Sequence, residues 1–170
     1  MTVDGDAERR LRALEERLRA LEDLHEIQRL KARYAALTDA RYGPDGPKDD
    51  AELARLAGEI AELFAEDAVW DAGGTLGVCR GRAEIRERFA KPTLLFSWHF
   101  FLKPDLVVEG ERARGSWDVF APCTLRDGRA FWMAGVEDDE YRREGGRWLH
   151  TRMCLRTVLF APHAKGWGKK

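Results

Sequence analysis

Cysteine is scarce in this chain: there are three in 170 residues, at positions 79, 123 and 154, widely spaced and never in a CxxC pair. An odd, scattered set excludes a disulfide framework and a zinc knuckle, so buried, reduced thiols are expected. Long apolar runs are missing, and nothing approaches the roughly 20 consecutive apolar residues that span a bilayer, so no membrane is expected as a partner. A surplus of either charge is missing too. Lys and Arg number 29 against 30 Asp and Glu, for a formal net charge of -1 and a pI near 6.4. Such a balance does not draw phosphate backbones, so no nucleic acid is expected either. The start, MTVDGDAERR, lacks the apolar stretch of a secretion signal, and a cytoplasmic location is expected. Several catalytic signatures are also lacking. HEIQR has no second His for HExxH, no two His sit at metal-ligand spacing, DAGGTLG precedes no phosphate-loop Lys, and no GxSxG occurs. Metal, nucleotide and covalent catalysis are therefore not expected, and no cofactor is.

What is present is a core. Hydrophobic residues make up 44% and include six Trp and eight Phe, enough for one folded domain. From Ala7 to about Arg41 nothing breaks a helical pattern. Leu11, Leu14, Leu18 and Leu21 alternate steps of three and four, the seam spacing of a coiled coil, and His25 follows in the seam. A second stripe, Leu24, Ile27, Leu30, Tyr34 and Leu37, then takes over with globular spacing. The first turns are expected to form an arm that meets another subunit, and the rest to pack on the domain. YGPDGPKDD at 42–50 is a loop; Asp49 or Asp50 caps a second helix carrying Leu53, Leu56, Ile60, Leu63 and Phe64. AVW is a short strand, the Gly73–Gly74 pair a turn, and a third helix runs from Arg82 to about Phe89, stopped by Pro92. Strands are expected at 94–102, 105–110, 113–125, 129–144 and 146–160. Their short connectors KPD, EGER, RDGR and REGGR suit hairpins of an antiparallel meander. Helices first and strands after indicate an α+β fold, with a curved antiparallel sheet wrapped round three helices and enclosing a pocket. The divisions expected are an arm at 1–22, the barrel domain at 23–163 and a tail at 164–170.

Several residues could carry chemistry. Tyr34 and Asp39 lie on one broad side of the first helix. An Asp in a last helical turn opposes the macrodipole, a placement with no helical benefit. His99 interrupts the apolar run LLFSWHFFL, either as a satisfied core histidine or as a cavity-facing base; an Asp beside it would fix its tautomer. Asp118, in GSWDVF, either orients His99, contacts ligand or points outward. Strand alternation puts Trp148, His150, Arg152 and Cys154 on one face, and a pocket-facing Arg152 would anchor an anion or carbonyl. Trp70, Trp98, Trp117, Phe131 and Trp132 offer aromatic area for a flat, greasy ligand.

Together, Tyr34 and Asp39 on the long helix, FAEDAVWD, GRAEIRERF, His99, DEYRREGGRWLHTR and the terminal FAP resemble the SnoaL-like branch of the nuclear transport factor 2-like superfamily, over residues 23–163. The resemblance implies a cystatin-like α+β barrel with a deep pocket. Within the branch the pattern is similar to cofactor-free lyases such as bile acid 7α-dehydratase, scytalone dehydratase and hexachlorocyclohexane dehydrochlorinase, which are typically trimers. By position it implies Asp39 and His99 as a dyad, Tyr34 as the neighbouring polar group, and Arg152 as the pocket Arg. The function expected is a dehydratase-type lyase acting on a hydrophobic cyclic or aromatic small molecule, with Arg152, Asp118, Trp117, Trp98 and Phe131 in substrate binding. The rivals are a ketosteroid-type isomerase, a noncatalytic binding module and the small subunit of an aromatic-ring dioxygenase.

Overall fold

The computed structural model describes residues 3–74 and 76–166. The unbroken helical pattern forms α1 (Val3–Asp39). Asp49 caps α2 (Asp50–Ala61), its carboxylate accepting from the Glu52 N–H at 2.9 Å. Helix α3 (Gly81–Ala90) starts on a glycine with φ +79°, a conformation that favours glycine. The loop after α1 holds a two-residue hairpin, β1 (Tyr42–Gly43) with β2 (Gly46–Pro47). Seven strands form one sheet: β3 (Phe64–Asp71), β4 (Val78–Arg80), β5 (Leu94–Ser97), β6 (Phe100–Glu109), β7 (Arg112–Leu125), β8 (Ala130–Glu144) and β9 (Arg147–Pro162). Their order is β4-β3-β9-β8-β7-β5, with β6 also on the outer edge of β7. Every pairing is antiparallel except β3 with β9, which is parallel. The α+β architecture is as expected, with the first strand returning beside the last.

Several strand boundaries differ from expectation. The run 94–102 is broken at Trp98 and His99, and KPD is a bulge within β6, where Lys103 has φ +48° and the register shifts. The first follows from β7. Pro122 has no N–H to offer the ladder, so the neighbouring chain leaves the sheet there, held only by Trp98 N–H donating to the Pro122 carbonyl at 3.2 Å. Phe64 begins β3 rather than extending α2, and β3 is longer than AVW.

The interior lies between the helices and the concave sheet face. Its larger cluster joins Tyr34, Ile60, Phe64, Trp70, Ile85, Phe89, Leu149 and Met153; a smaller one joins Ile27, Ala113, Tyr141 and Trp148. Cys79 and Cys123 are buried thiols and Cys154 is half-buried. Among the described residues no helix is long and apolar enough to cross a membrane. Residues 164–166 of the expected tail lie in a turn; 167–170 lie outside the described residues.

Candidate active site

Helix α1 ends at Asp39 just where the chain breaks between β5 and β6, which brings the helix-borne carboxylate to His99. Leaving the sheet frees the His99 backbone N–H, and it donates to both Asp39 oxygens at 3.1 Å. The ring turns the same way, with Nδ1 2.6 Å from Asp39 Oδ1. A carboxylate only accepts, so Nδ1 carries the proton and Nε2 keeps its lone pair, 3.4 Å from the Ser97 hydroxyl. The imidazole stacks on Phe101, with the ring planes 8° apart. Asp39 is 7% exposed at its side chain and His99 18%, so the carboxylate is covered while the ring keeps an opening.

That opening is a cleft of about 80 Å³, lined by Tyr34, Thr38, Arg41, Trp70, Arg88 and His99 among others. The Tyr34 hydroxyl accepts from Trp70 Nε1 at 3.1 Å, leaving its own proton for another acceptor. Burial, aided by Glu137, pushes its ionisation far above the usual phenol range, so it stays a donor. Two arginines in the wall carry no obvious sequence signal. Arg41 Nε donates to the Thr38 carbonyl at 3.0 Å and Nη1 to the Phe89 carbonyl at 3.3 Å. Its guanidinium lies 4.8 Å from the Phe89 ring centre, and burial lowers its pKa. Arg88 lies over Trp70 at 5.9 Å. Neither arginine is ion-paired with a carboxylate among the described residues, so the cleft wall is cationic.

Deeper in the barrel sits a polar cluster that sequence reasoning missed. The Lys31 ammonium, 1% exposed, is bound by Glu137 and, at 2.7 Å, by Asp139. Tyr141 donates to Asp139 at 2.7 Å and accepts from Trp117 Nε1 at 2.9 Å. Burial depresses the Lys31 pKa, but the two carboxylates outweigh it and the net shift is upward. Burial lifts Asp139 to about 7, Lys31 opposing and Glu137 reinforcing. Burial, then Lys31, drives His150 well down, so this fully buried imidazole is neutral. A signal existed: Lys31 sits between Ile27 and Tyr34 in the apolar stripe, and Glu137, Asp139 and Tyr141 alternate onto one face of β8.

Of the substrate-binding residues expected, none lines the cleft. Arg152 is exposed on the outer face, beside Asp105, Arg114 and Asp138. The cause is a bulge in β9: Glu140 faces Arg152 and Tyr141 faces His150, so Thr151 is unpaired and the alternation flips after His150. Asp118 points outward and is ion-paired with Lys103. Trp98 is 47% exposed and lines a separate open groove of about 600 Å³ with Asp39, Tyr42 and Phe96. Phe131 packs on Phe160 at 4.6 Å, and Trp117 lies inside, at the polar cluster. Trp132 stacks on Phe120. Of the five aromatic residues considered, only Trp70 is in the cleft. Its lining is thus mixed and cationic rather than the aromatic slot expected. No cluster of three His, Cys, Asp or Glu suited to a metal ion occurs among the described residues.

A family model described as SnoaL-like domain matches residues 19–153. Among curated proteins none matches the sequence. The fold is similar to that of hexachlorocyclohexane dehydrochlorinase LinA-type3 from Novosphingobium barchaimii LL02, at 22% identity and TM-score 0.72, covering 90% of this chain and 97% of that one. A protein provisionally named scytalone dehydratase from Novosphingobium aromaticivorans matches at 19% identity and TM-score 0.68, covering 88% of this chain and 97% of that one. Another from that organism, provisionally named an aromatic ring hydroxylase, matches at 26% identity and TM-score 0.67, covering 85% and 96%.

Proposed function

The chain belongs to the SnoaL-like domain family, and from that premise we propose that it is a lyase-type enzyme, a cofactor-independent dehydratase with His99 as its base. The observation that carries this reading is the 2.6 Å hydrogen bond from His99 Nδ1 to Asp39 at the cleft. With that proton held, Nε2 is the basic atom, engaged only by a long 3.4 Å contact from the Ser97 hydroxyl. It takes a proton from a carbon next to a carbonyl, and the C–H pair moves toward the carbonyl oxygen as negative charge grows there. The Tyr34 hydroxyl donates to that oxygen, and the Arg41 and Arg88 guanidiniums offset the charge. Asp39 steadies the imidazolium until it passes the proton to the departing hydroxyl. Water leaves, a carbon–carbon double bond forms, and His99 returns to neutral. The base step contributes about 10² to 10⁴ in rate.

The substrate proposed is a small hydrophobic cyclic or aromatic molecule that inserts its reacting end. A cleft of about 80 Å³ holds about two or three groups of water size at roughly 30 Å³ each, so the ring would rest on the rim at Tyr42, Leu76 and Pro92. A trimer is part of the proposal. It is supported by Phe100, Leu102, Val158 and Phe160, which stand 44 to 69% exposed.

The test is a panel of cyclic β-hydroxy ketones followed by mass spectrometry. A product lighter by one water, formed by wild type and lost in His99→Ala with thermal stability retained, is the expected result. A product that keeps all the substrate's heavy atoms and is heavier only by the deuterium taken up from solvent would indicate the isomerase. Binding without product would indicate the noncatalytic module. The ring-hydroxylase likeness at 26% identity favours a second reading, the small subunit of a dioxygenase, which predicts co-purification with a large iron–sulfur subunit.

A further inference from the structure

Upstream of Asp23, α1 leaves the body of the protein. Asp23 is the first residue tied to the sheet, through Arg143 and through Trp148 Nε1, which donates to it at 3.2 Å. Before it the helix projects about 30 Å, at 1.5 Å per residue. Residues 6–22 are all exposed. Four leucines on this arm, Leu11, Leu14, Leu18 and Leu21, stand 57, 60, 56 and 65% exposed. They form one seam, because their spacing of three, four and three returns each to the same side of the helix.

We propose that this arm pairs in parallel, and in register, with the same arm of a second copy of the chain that belongs to another trimer. The charges flanking the seam decide both the partner and the direction. Arg10 and Arg17 run along one side of the leucines and Glu15 and Glu22 along the other. In heptad terms the leucines are a and d, the arginines g and the glutamates e. In a parallel pair each g residue faces the e residue five positions on in the partner, so Arg10 meets Glu15 and Arg17 meets Glu22, twice over by symmetry. In an antiparallel pair g faces g and e faces e, which sets arginine against arginine and glutamate against glutamate. A second copy supplies the complementary seam and the complementary charges together. Within one chain, and among the described residues, Arg10 is ion-paired with Asp6 at 3.2 Å, well exposed, a pair weak enough to exchange.

The test is disulfide trapping in the full-length chain. Leu14→Cys places two thiols opposite each other only in the parallel register, whereas antiparallel pairing of the same seam sets Leu14 against Leu18. Under mild oxidation Leu14→Cys should convert to a covalent dimer at least tenfold faster than wild type, and than Glu16→Cys, which sits on the far side of the helix. Leu14→Asp/Leu18→Asp should lower the mass measured by light scattering while leaving the melting temperature of the body intact. Failure of Leu14→Cys to cross-link faster than Glu16→Cys overturns the parallel pairing. An unchanged mass in the double aspartate variant overturns self-association through the arm.

Discussion

Replacing Lys31 by methionine should destabilise the protein strongly, and more so at alkaline than at acidic pH. The ammonium lies 2.7 Å from Asp139 and also contacts Glu137, with all three side chains 7% exposed or less. At an effective dielectric constant of about 20, one such contact is worth about 6 kcal/mol of attraction, which the cost of desolvating the charges largely offsets in the intact cluster. Methionine removes the attraction and leaves both carboxylates buried, and breaking a buried pair from one side costs about 3–5 kcal/mol. The sign of the pH effect follows from proton uptake. Asp139 already titrates at about 7, raised by burial, so its share of stability is complete below its ordinary range and is lost as pH rises through 7. Without Lys31 the Asp139 carboxyl shifts further upward and the folded state holds more protons than the unfolded one. Stability of the variant then falls by up to about 1.4 kcal/mol per pH unit from this group. Urea unfolding of wild type and Lys31→Met at pH 5 and pH 8 is the assay. A loss below about 1 kcal/mol at pH 8, or an equal loss at both pH values, would refute the reasoning.

Tyr34→Phe should cost about 1–3 kcal/mol of stability, because Trp70 Nε1 loses its acceptor, and about 10²-fold in turnover; calorimetry and steady-state kinetics check the two separately. Asp39→Asn keeps one oxygen to accept from the His99 backbone but removes the second acceptor and the charge that steadies the imidazolium, so turnover should fall about 10²-fold or more with a nearly unchanged KM. Arg152→Ala, on the outer face, should leave turnover within about twofold and stability within about 0.5 kcal/mol. A large loss of turnover in that variant would place Arg152 at the site after all.

The parts of the fold visible in the sequence are those set by local pattern. The three helices, the Asp49 cap and the Gly73–Gly74 turn follow from spacing and turn chemistry. The meeting of Asp39 and His99 was anticipated because each residue type is locally misplaced, an anion in a last helical turn and an imidazole in an apolar run. What was hidden depends on pairing between distant segments. No local feature of RWLHTRMCL announces the unpaired Thr151, yet that one residue sends Arg152 outward. Pro122 breaks its neighbour rather than itself, so the interruption at Trp98 and His99 is written on another strand. Lys31, a lysine in an apolar stripe, reads as a boundary residue until Glu137 and Asp139 are seen opposite it.

The most direct test of the central claim is the rate at which the protein exchanges a carbon-bound hydrogen next to the carbonyl of a cyclic ketone for deuterium from solvent, in wild type and His99→Ala. If Nε2 of His99 is the base, the variant should lose at least about 10²-fold of this rate while its melting temperature stays within a few degrees of wild type. Exchange at an undiminished rate in a folded His99→Ala protein would contradict the account.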